Sequence, residues 1–362
     1  MDKYAAALPG CKGLGAKYMR ALFDYFGSPE EVWKASDKAV GESHILGEKV
    51  QNNFLAYRRA ADPERIAEEL YREEIRCAVW KQDEEYPSLL EATSNPPAVL
   101  FYKGERINYE RTIGIVGSRK ATSYGIETAR KMAEGLSKQN IAVISGGARG
   151  IDSASHRGAL EGGGVTIAVA ACGLDRVYPP ENKGLFEEII KAGGAVVSEY
   201  PLKTPPLGRQ FPARNRIIAG MSRGILVVEA GERSGSLITS DFALEEGRDV
   251  FSVPGSIWVP SSRGTNQLIR NGAICCTSYR DILQEYEWGE EKQEENKKVF
   301  REQLTLEEEL VYRFCCTDNE VSGEDILQQS GLSVVRLTVV LLQLQIKGYI
   351  KEVGPSRYIV IK

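Results

Sequence analysis

The chain has 362 residues, with 46 Lys and Arg side chains against 50 Asp and Glu, so its formal charge is −4. Hydrophobic residues make up 42% and charged residues 27%, which is typical of folded globular domains and excludes a mainly disordered or fibrous chain. No run of about 18 apolar residues and no signal-peptide pattern is present, so we expect neither a membrane contact nor secretion. Seven cysteines without a C-x-x-C spacing and two histidines predict reduced thiols, a cytoplasmic location and no metal site.

The charge is unevenly distributed along the chain. Residues 1–110 sum to −4 and residues 281–362 to −6, whereas residues 111–280 hold 21 basic against 15 acidic side chains, which is +6. The stretch from Pro205 to Gly224 carries four arginines and no acidic residue. Because basic charge supplies most of the affinity for nucleic acid, a polyanion is expected to bind this central region.

Residues 1–75 have helical periodicity and predict a small helical domain of the helix-hairpin kind. Ser28 followed by Pro29 indicates the cap and the first position of one of its helices. The Gly-rich turn at Gly10–Gly15 could hold a DNA backbone through its amides or join two packed helices, and the local acidity favours packing. Residues 76–110 contain three prolines and predict an extended entry segment with short strands.

From Thr112 onward, apolar runs alternate with helical segments. Six runs predict strands, at Ile113–Val116, Ile141–Ile144, Val165–Ala170, Ala195–Val197, Ile225–Val228 and Val250–Val253. Five segments predict helices, at 123–139, 150–161, 183–192, 213–221 and 237–246. Near-continuous apolar strands alternating with helices are typical of βαβ crossovers, so residues 76–284 predict an α/β core with a doubly wound, Rossmann-like parallel sheet.

The C-terminal part of the chain has a different pattern. Residues 285–303 are polar and mixed in charge, and they predict a linker. Residues 304–362 predict three helices and two short strands around Gly354-Pro355, which is the pattern of a winged-helix domain. Ser322 with Asp325 indicates a capping box at the second of these helices. The segment has 6 basic and 8 acidic side chains, which favours protein contact or packing over reading duplex DNA.

Two glycine-containing clusters follow predicted strands, where ligands of doubly wound sheets bind. The first is the turn Gly117-Ser118-Arg119, in which glycine admits a phosphate to the backbone and arginine supplies a charged planar fork. Its alternative is a tight turn with a solvated arginine. The second contains Ser145, Gly146, Gly147, Arg149 and Gly150. It resembles a dinucleotide-binding loop but lacks the first glycine and a ribose-binding acid after the next strand, so no NAD and no other cofactor is expected.

Two further clusters lie before and after the predicted strand Ile225–Val228. The third sets Phe211 among polar and basic residues, Arg209, Arg214, Asn215 and Arg216. An aromatic ring stacks bases and guanidinium groups hold phosphates, which favours binding over a buried Phe211 beside solvated arginines. The fourth is an amide-rich turn at a helix start, Ser234-Gly235-Ser236.

Three acidic or titratable residues near these clusters have open roles. Glu229 is either an ion-pair partner of Arg214 or Arg216, or a catalytic carboxylate. Asp152 has the position of a helix cap, and His156 fits a structural histidine better than a catalyst. The chain has no P-loop, no G-x-S-x-G motif and no paired carboxylates with supporting histidines, so these residues do not demand an active site. The four clusters together describe a surface that follows an extended polyanion.

The motifs of the core resemble one known family. In order, they are GIVGSR, SGGARGIDSASHRGAL, GLDRVYPPEN, SEYP, FPARNRIIAGMS, VVEAGERSGSLITSDFALEEGRDVF and VPGS…GTNQLIRNGA. They resemble the DNA-processing protein A family, also called Smf, over residues 86–277. The flanking helical and winged-helix segments are similar to those of the longer family members.

This resemblance implies a function and roles for individual residues. It implies a homodimer without catalytic activity that binds single-stranded DNA, protects it, and loads RecA recombinase during natural transformation. Gly117, Ser118 and Arg119 would hold phosphates, Phe211 would stack a base, and the groove would be completed by Arg214, Asn215 and Arg216. Some members have a lysine just before the Phe-Pro pair, where Arg209 is the only substitute here. The dimer contact is expected near Leu268-Ile269 and Ala273-Ile274.

Two other function classes remain open at this point. The sheet and its Gly-rich loops also resemble nucleotide phosphoribohydrolases, which carry a P-G-G-x-G-T-x-x-E stretch. The corresponding place here reads Glu229-Ala-Gly-Glu-Arg-Ser-Gly-Ser, without that motif. The other alternative is a scaffold that does not bind DNA and uses the winged helix for protein contacts.

Overall fold

The computed structural model describes residues 1–289, 304–315, 321–347, 349–354 and 356–360. The chain divides into two compact units, Met1–Glu290 and Glu291–Lys362. Most of the predicted linker at 285–303 lies outside the described residues. The part that is described packs on the first unit, because the ring of Tyr286 lies 5.8 Å from that of Phe251 and 4.6 Å from that of Trp288.

The first unit begins with short helices. They are α1 Lys3–Ala7, α2 Ala16–Phe26, α3 Pro29–Lys34, α4 Asp37–Glu42, α5 Glu48–Ala60 and α6 Pro63–Arg72. The predicted start of α3 is confirmed, with Pro29 at its first position and the Ser28 hydroxyl accepting a hydrogen bond from the Glu31 amide at 3.2 Å. The apolar faces of these helices pack in one cluster with Val99 and Phe101, so they share a core with the sheet that follows.

One large sheet organises the rest of the first unit. Its strands are β1 Arg76–Val79, β2 Val99–Gly104, β3 Thr112–Val116, β4 Ala142–Ser145, β5 Thr166–Val169, β6 Ala195–Ser198, β7 Gly224–Val227, β8 Asp249–Ser252 and β9 Ile274–Cys275. They lie in the order β1-β2-β6-β5-β4-β3-β7-β8-β9. The pairs from β6 to β9 are parallel, as predicted. The entry segment adds an antiparallel edge, because β2 pairs antiparallel with both β6 and β1.

Helices cover both faces of this sheet. They are α7 Ser88–Glu91, α8 Ser123–Ser137, α9 Ile151–Glu161, α10 Lys183–Lys191, α11 Gln210–Gly220, α12 Gly235–Glu245, α13 Arg263–Arg270 and α14 Tyr279–Glu285. The predicted strands and the five predicted helices of the core are present, with ends shifted by at most three residues. The largest shift is the start of α11 at Gln210, before Pro212. This is possible because amides of the first helical turn have no intrahelical partner.

The strand order places a binding crevice beside β3. The chain passes from β3 to β4 on one side and later returns to β7 on the other, so the connections reverse direction at this strand. Alternate residues of the strands enter different apolar clusters: Ile115 and Leu226 pack on one face, and Val116 and Ile225 on the other. Both faces are therefore covered, and ligands can reach the sheet only at the ends of its strands.

The second unit contains the three helices and the two final strands predicted as a winged-helix pattern, together with a third strand that was not predicted. Its helices are α15 Leu306–Cys315, α16 Gly323–Ser330 and α17 Val334–Ile346, and its strands are β10 Val321–Ser322, β11 Ile350–Gly354 and β12 Arg357–Val360. The strands form an antiparallel sheet in the order β10-β12-β11. The Ser322 hydroxyl caps α16 by accepting from the Asp325 amide at 3.1 Å. Pro355, predicted between the last two strands, lies outside the described residues.

In the described part of the chain, no single helix has the length and apolar character needed to cross a membrane. Gly323–Ser330 and Val334–Gln345 reach that length and composition only as a pair, and the pair is bent by 116°.

Candidate nucleic-acid interface

A cleft of about 590 Å³ opens at the carboxyl ends of β3 to β7. Eight of the sixteen predicted site residues line it: Gly117, Arg119, Phe211, Arg214, Asn215, Ser234, Gly235 and Ser236. A small adjoining recess adds two more, Gly146 and Arg149. The other six have different surroundings. The fold thus brings residues from all four clusters to one place, which their positions after neighbouring strands predict.

The first turn is fixed by close backbone contacts. A Cβ atom on Gly117 would lie 2.6 Å from the Cγ1 of Ile151 and 2.9 Å from the Glu229 carbonyl oxygen, so only glycine fits. The Ser118 amide donates to that carbonyl at 2.7 Å, and the Ser118 hydroxyl accepts from the Lys120 amide at 3.1 Å. Ser118 therefore holds the shape of the turn and does not line the cleft, whereas Arg119 is exposed at its rim.

Arg119 and two aromatic rings form a platform at the rim of the cleft. The Arg119 guanidinium carbon lies 5.0 Å from the centre of the Phe211 ring, and Phe211 is half-buried. The ring of Tyr178, which is 41% exposed, lies 5.4 Å from that of Phe211 at an angle of 54°. Tyr178 was not predicted as a site residue. The available signal was an aromatic residue beside two prolines in a loop after a strand.

Arg214 lies on the floor of the cleft and is only 4% exposed. Its Nη1 donates to the Gly146 carbonyl at 2.6 Å and also to the carbonyl of Val169. A Cβ atom on Gly146 would lie 2.4 Å from Nη1 and 2.6 Å from the Oδ2 of Asp152, so glycine makes room for both charged groups. Burial lowers the pKa of Arg214 to about 10 and raises the pKa of Asp152. Nη1 of Arg214 is therefore hydrogen-bonded to the backbone and is not available to a phosphate.

The other predicted cations differ in whether an acid neutralises them. Arg216 is 15% exposed and pairs with Glu199 at 2.5 Å. Arg149, which is exposed, forms an ion pair with Glu181. Arg209 is exposed at the start of α11 and has no carboxylate partner among the described residues. Acids from other loops therefore neutralise Arg216 and Arg149, whereas Arg119 and Arg209 have no carboxylate partner among the described residues.

The second cluster supports the first turn from below. Ser145 is fully buried, and its hydroxyl donates to the Ile115 carbonyl at 2.6 Å. Gly150 has a φ of +74°, and a Cβ atom there would lie 2.3 Å from the Ser118 carbonyl oxygen. Gly147, with a φ of +63°, faces the ring of Phe186 in the same way. These residues pack the loop against its neighbours. Of this loop's predicted site residues, only Gly146 and Arg149 line the recess that adjoins the cleft.

The start of α9, where the free amides of a helix can bind an anion, is occupied by the protein itself. The Ile151 amide donates to the Ser118 carbonyl at 3.2 Å. The Asp152 carboxylate accepts from the Ala148 amide at 3.3 Å, before the helix begins. The expected capping position is wrong, because Gly150 is the N-cap of α9 and Asp152 is its second residue. Groups of the chain therefore take the place that an anion would have.

Among the described residues, Glu229 forms an ion pair with neither Arg214 nor Arg216. It is 4% exposed and accepts hydrogen bonds from the Thr122 hydroxyl at 2.6 Å and the Thr122 amide at 3.1 Å. The expected ion pair with Arg214 or Arg216 is wrong within the described residues, since those side chains bind backbone carbonyls and Glu199. Glu229 instead fixes the start of α8 beside the first turn.

The fourth cluster forms the wall opposite the first turn. The Ser234 hydroxyl caps α12, accepting from the Ser236 amide at 3.4 Å and lying 2.8 Å from the Ser236 hydroxyl. Asn215 Nδ2 donates to the Gly235 carbonyl at 3.2 Å, which ties α11 to this turn. Gly235 is exposed, and a Cβ atom on it would meet nothing within 4 Å. This wall therefore offers hydroxyl groups and an open backbone to a ligand.

His156 is a structural residue below the floor. It is fully buried, and its Nδ1 lies 2.7 Å from the Thr166 hydroxyl. That hydroxyl donates to the Val143 carbonyl, so Nδ1 carries the proton. Burial, aided by the charge of Arg214, lowers the pKa of His156 to about 3. Among the described residues, no group of three or more His, Cys, Asp or Glu side chains could hold a metal ion.

Known proteins match this chain in sequence and fold. Residues 77–287 match the sequence model of the family DNA recombination-mediator protein A. The protein Smf of Synechocystis is 40% identical over 286 residues, which are 77% of this chain and 71% of that protein. The DNA processing protein A of Streptococcus pneumoniae has a TM-score of 0.70 at 36% identity, over 79% of this chain and 98% of that one. That of Helicobacter pylori has a TM-score of 0.52 at 26% identity, over 59% and 96%. The chain therefore belongs to the DNA recombination-mediator protein A family.

Proposed function

We propose that this chain binds single-stranded DNA without sequence preference and that the cleft at the ends of β3 to β7 holds the strand. The observation that carries the proposal is the platform of Arg119, Phe211 and Tyr178 at the rim. Aromatic faces stack any base, and an unpaired guanidinium attracts the backbone. The H. pylori relative is described by its single-stranded DNA binding mode, which supports the same ligand here.

The platform favours a single strand over a duplex. Bases in a duplex stack on one another, so their faces are not accessible to Phe211 or Tyr178. In this proposal Arg119 and Arg209 hold phosphates, and the wall at Ser234–Ser236 binds through hydroxyls and amides. Arg214 and the loop from Ser145 to Gly150 act indirectly, by shaping the floor and supporting the first turn.

The remaining functional expectations rest on family membership. We propose a cytoplasmic, non-enzymatic homodimer that protects the strand and transfers it to RecA recombinase during natural transformation. Leu268 and Ala273 are partly buried against the sheet, close in sequence to β9. Because β9 ends the strand order of the described sheet, this edge is the proposed dimer contact. Cross-linking or light scattering of variants at Ile269 and Ile274 tests it.

A salt-dependent titration tests the DNA proposal. Contact with about four to six phosphates predicts that the logarithm of the affinity for labelled oligothymidine falls against the logarithm of salt concentration with a slope of about −3 to −4. A slope near zero, or a preference for duplex, contradicts the proposal. Complete absence of binding supports the scaffold alternative. Free base released from nucleoside monophosphates would support the phosphoribohydrolase alternative.

A further inference from the structure

A second cleft, of about 610 Å³, opens at the carboxyl ends of β7 and β8. The start of α8, with Tyr124, forms one wall, and residues 253–262 form the other. Val228, Val253 and Val259 make much of its lining apolar, whereas Tyr124 is 62% exposed. None of the four sequence clusters predicted this cleft.

A ridge separates the second cleft from the first. It consists of residues 117–122 and 229–234, which the bonds from Ser118 and Thr122 to Glu229 join. Residues at one side of the ridge line the first cleft, and Thr122 and Glu229 line the second. These partly buried hydrogen bonds hold the two elements together and limit changes in the shape of the ridge.

The top of the ridge is positively charged. Arg119, Lys120 and Arg233 are all exposed there, and none pairs with a carboxylate in the parts of the chain that the structure describes. The nearby acid Glu232 lies 3.6 Å from Arg263, which compensates its charge. The buried carboxylate of Glu229, by contrast, lies in the second cleft itself, so a phosphate fits the ridge and a neutral base fits the cleft.

The segment that forms the far wall also carries two exposed apolar side chains, between the lining residues Ser256 and Val259. Trp258 is 85% exposed and Ile257 is 73% exposed. The backbone that carries them is well anchored: the Gly255 amide donates to Asn266 Oδ1 at 3.1 Å, and Asn266 Nδ2 donates to the Gly255 carbonyl at 2.9 Å. Because this backbone is anchored before a ligand arrives, the loop loses less conformational entropy on binding.

We infer that a single strand crosses the ridge and that its bases also enter the second cleft, where they stack on Tyr124 in the cleft and on Trp258 beside it. This inference rests on the proposed function and extends the binding path beyond the first cleft. Unpaired cations between two sets of accessible aromatic rings match a strand whose phosphates follow the ridge and whose bases turn to both sides. The positive ridge favours this occupant over an apolar surface of a second copy of the chain.

Oligothymidines of two lengths test the inference. A probe of about five nucleotides is long enough to occupy only the platform of the first cleft. A probe of about twenty nucleotides also reaches the second cleft. We expect Tyr124→Ala and Trp258→Ala each to weaken binding of the long probe about tenfold and to change binding of the short one less than twofold. Tyr124→Phe and Trp258→Phe should restore the long-probe affinity. Tyr71→Ala is the matched control, because Tyr71 is 81% exposed on α6.

The outcomes separate this inference from the proposed function. If the unchanged protein binds neither probe, the proposed function fails. If Phe211→Ala weakens binding of both probes while Tyr124→Ala and Trp258→Ala weaken binding of neither, the proposed function stands. The inference that the strand extends into the second cleft is then overturned. If Trp258→Ala lowers the mass measured by light scattering and leaves the affinity for the long probe unchanged, this face binds a second copy of the chain. That result also overturns the inference.

Discussion

The floor and the rim of the first cleft each contain an arginine, and the two differ in almost every physical respect. Arg214 on the floor is 4% exposed, bonded to two backbone carbonyls and close to the carboxylate of Asp152. Arg119 on the rim is exposed and contacts the face of Phe211. A guanidinium removed from water must satisfy its hydrogen bonds within the protein, so Arg214 stabilises the fold. Arg119 keeps its hydrogen-bond donors for a ligand.

The largest effect should come from Arg214→Ala. The substitution leaves Asp152 as a buried charge without its cation and two carbonyls without a donor, so we expect a loss of about 3–5 kcal/mol in the free energy of unfolding. Urea unfolding of the full chain, followed by a signal from the first unit, measures it. Arg119→Ala should change that free energy by less than about 0.5 kcal/mol. Equal stabilities of the two variants would remove the distinction between floor and rim.

The floor should also make stability depend on pH through His156. Its pKa is about 3 in the folded state and about 6.5 when unfolded, so the unfolded chain binds the proton first as the pH falls. Its contribution is therefore complete above pH 6.5 and is lost as the pH falls toward 3. We expect a loss of about 1.5 kcal/mol between pH 6.5 and 5.

A variant isolates the histidine from other titrating groups. The raised pKa of Asp152 acts in the opposite direction, because protonation of that carboxyl is easier in the folded state. His156→Asn removes the titration and keeps a donor near Thr166. Thermal unfolding of both proteins should show that the stability advantage of the native chain shrinks as the pH falls. A constant difference would contradict the buried neutral histidine.

On the rim, Phe211→Ala should reduce affinity without changing charge. Loss of one stacked base costs about 1–3 kcal/mol, so fluorescence anisotropy with labelled oligothymidine should show about tenfold weaker binding. The slope of the logarithm of affinity against the logarithm of salt concentration should equal that of the native protein, because no phosphate contact is lost. If the affinity does not change, Phe211 is only a packing residue.

Arg119→Ala should have the smaller effect on affinity and a distinct effect on salt dependence. Removal of one phosphate contact should make the slope less steep by about 0.7 and weaken binding several-fold at low salt. The same titration of Arg216→Ala is the matched control, because Arg216 is neutralised by Glu199. A slope that changes for Arg216→Ala and not for Arg119→Ala would reverse the assignment of free and paired cations.

Much of the core was predictable because its signals are local. Near-continuous apolar strands, the Ser28-Pro29 cap and the turn at Gly117 each depend on residues a few positions apart. The antiparallel pairing of β1 and β2 was not predicted, since short strands between prolines do not indicate which edge they join. Tyr178 was missed for a similar reason: only the folded chain brings its ring to 5.4 Å from Phe211.

The sequence by itself determined the alternation of strands and helices, the family motifs, and the placement of glycines and cations after the strands. These properties follow from short-range periodicity and from the common rule that parallel strands end at one edge. The tertiary structure decided which cations are available. Glu199 neutralises Arg216, Glu181 neutralises Arg149, and burial commits Arg214 to the floor. Net charge adds along the chain, but ion pairs and desolvation depend on neighbours in space, so only the fold distinguishes a cation that binds DNA from one that holds the protein together.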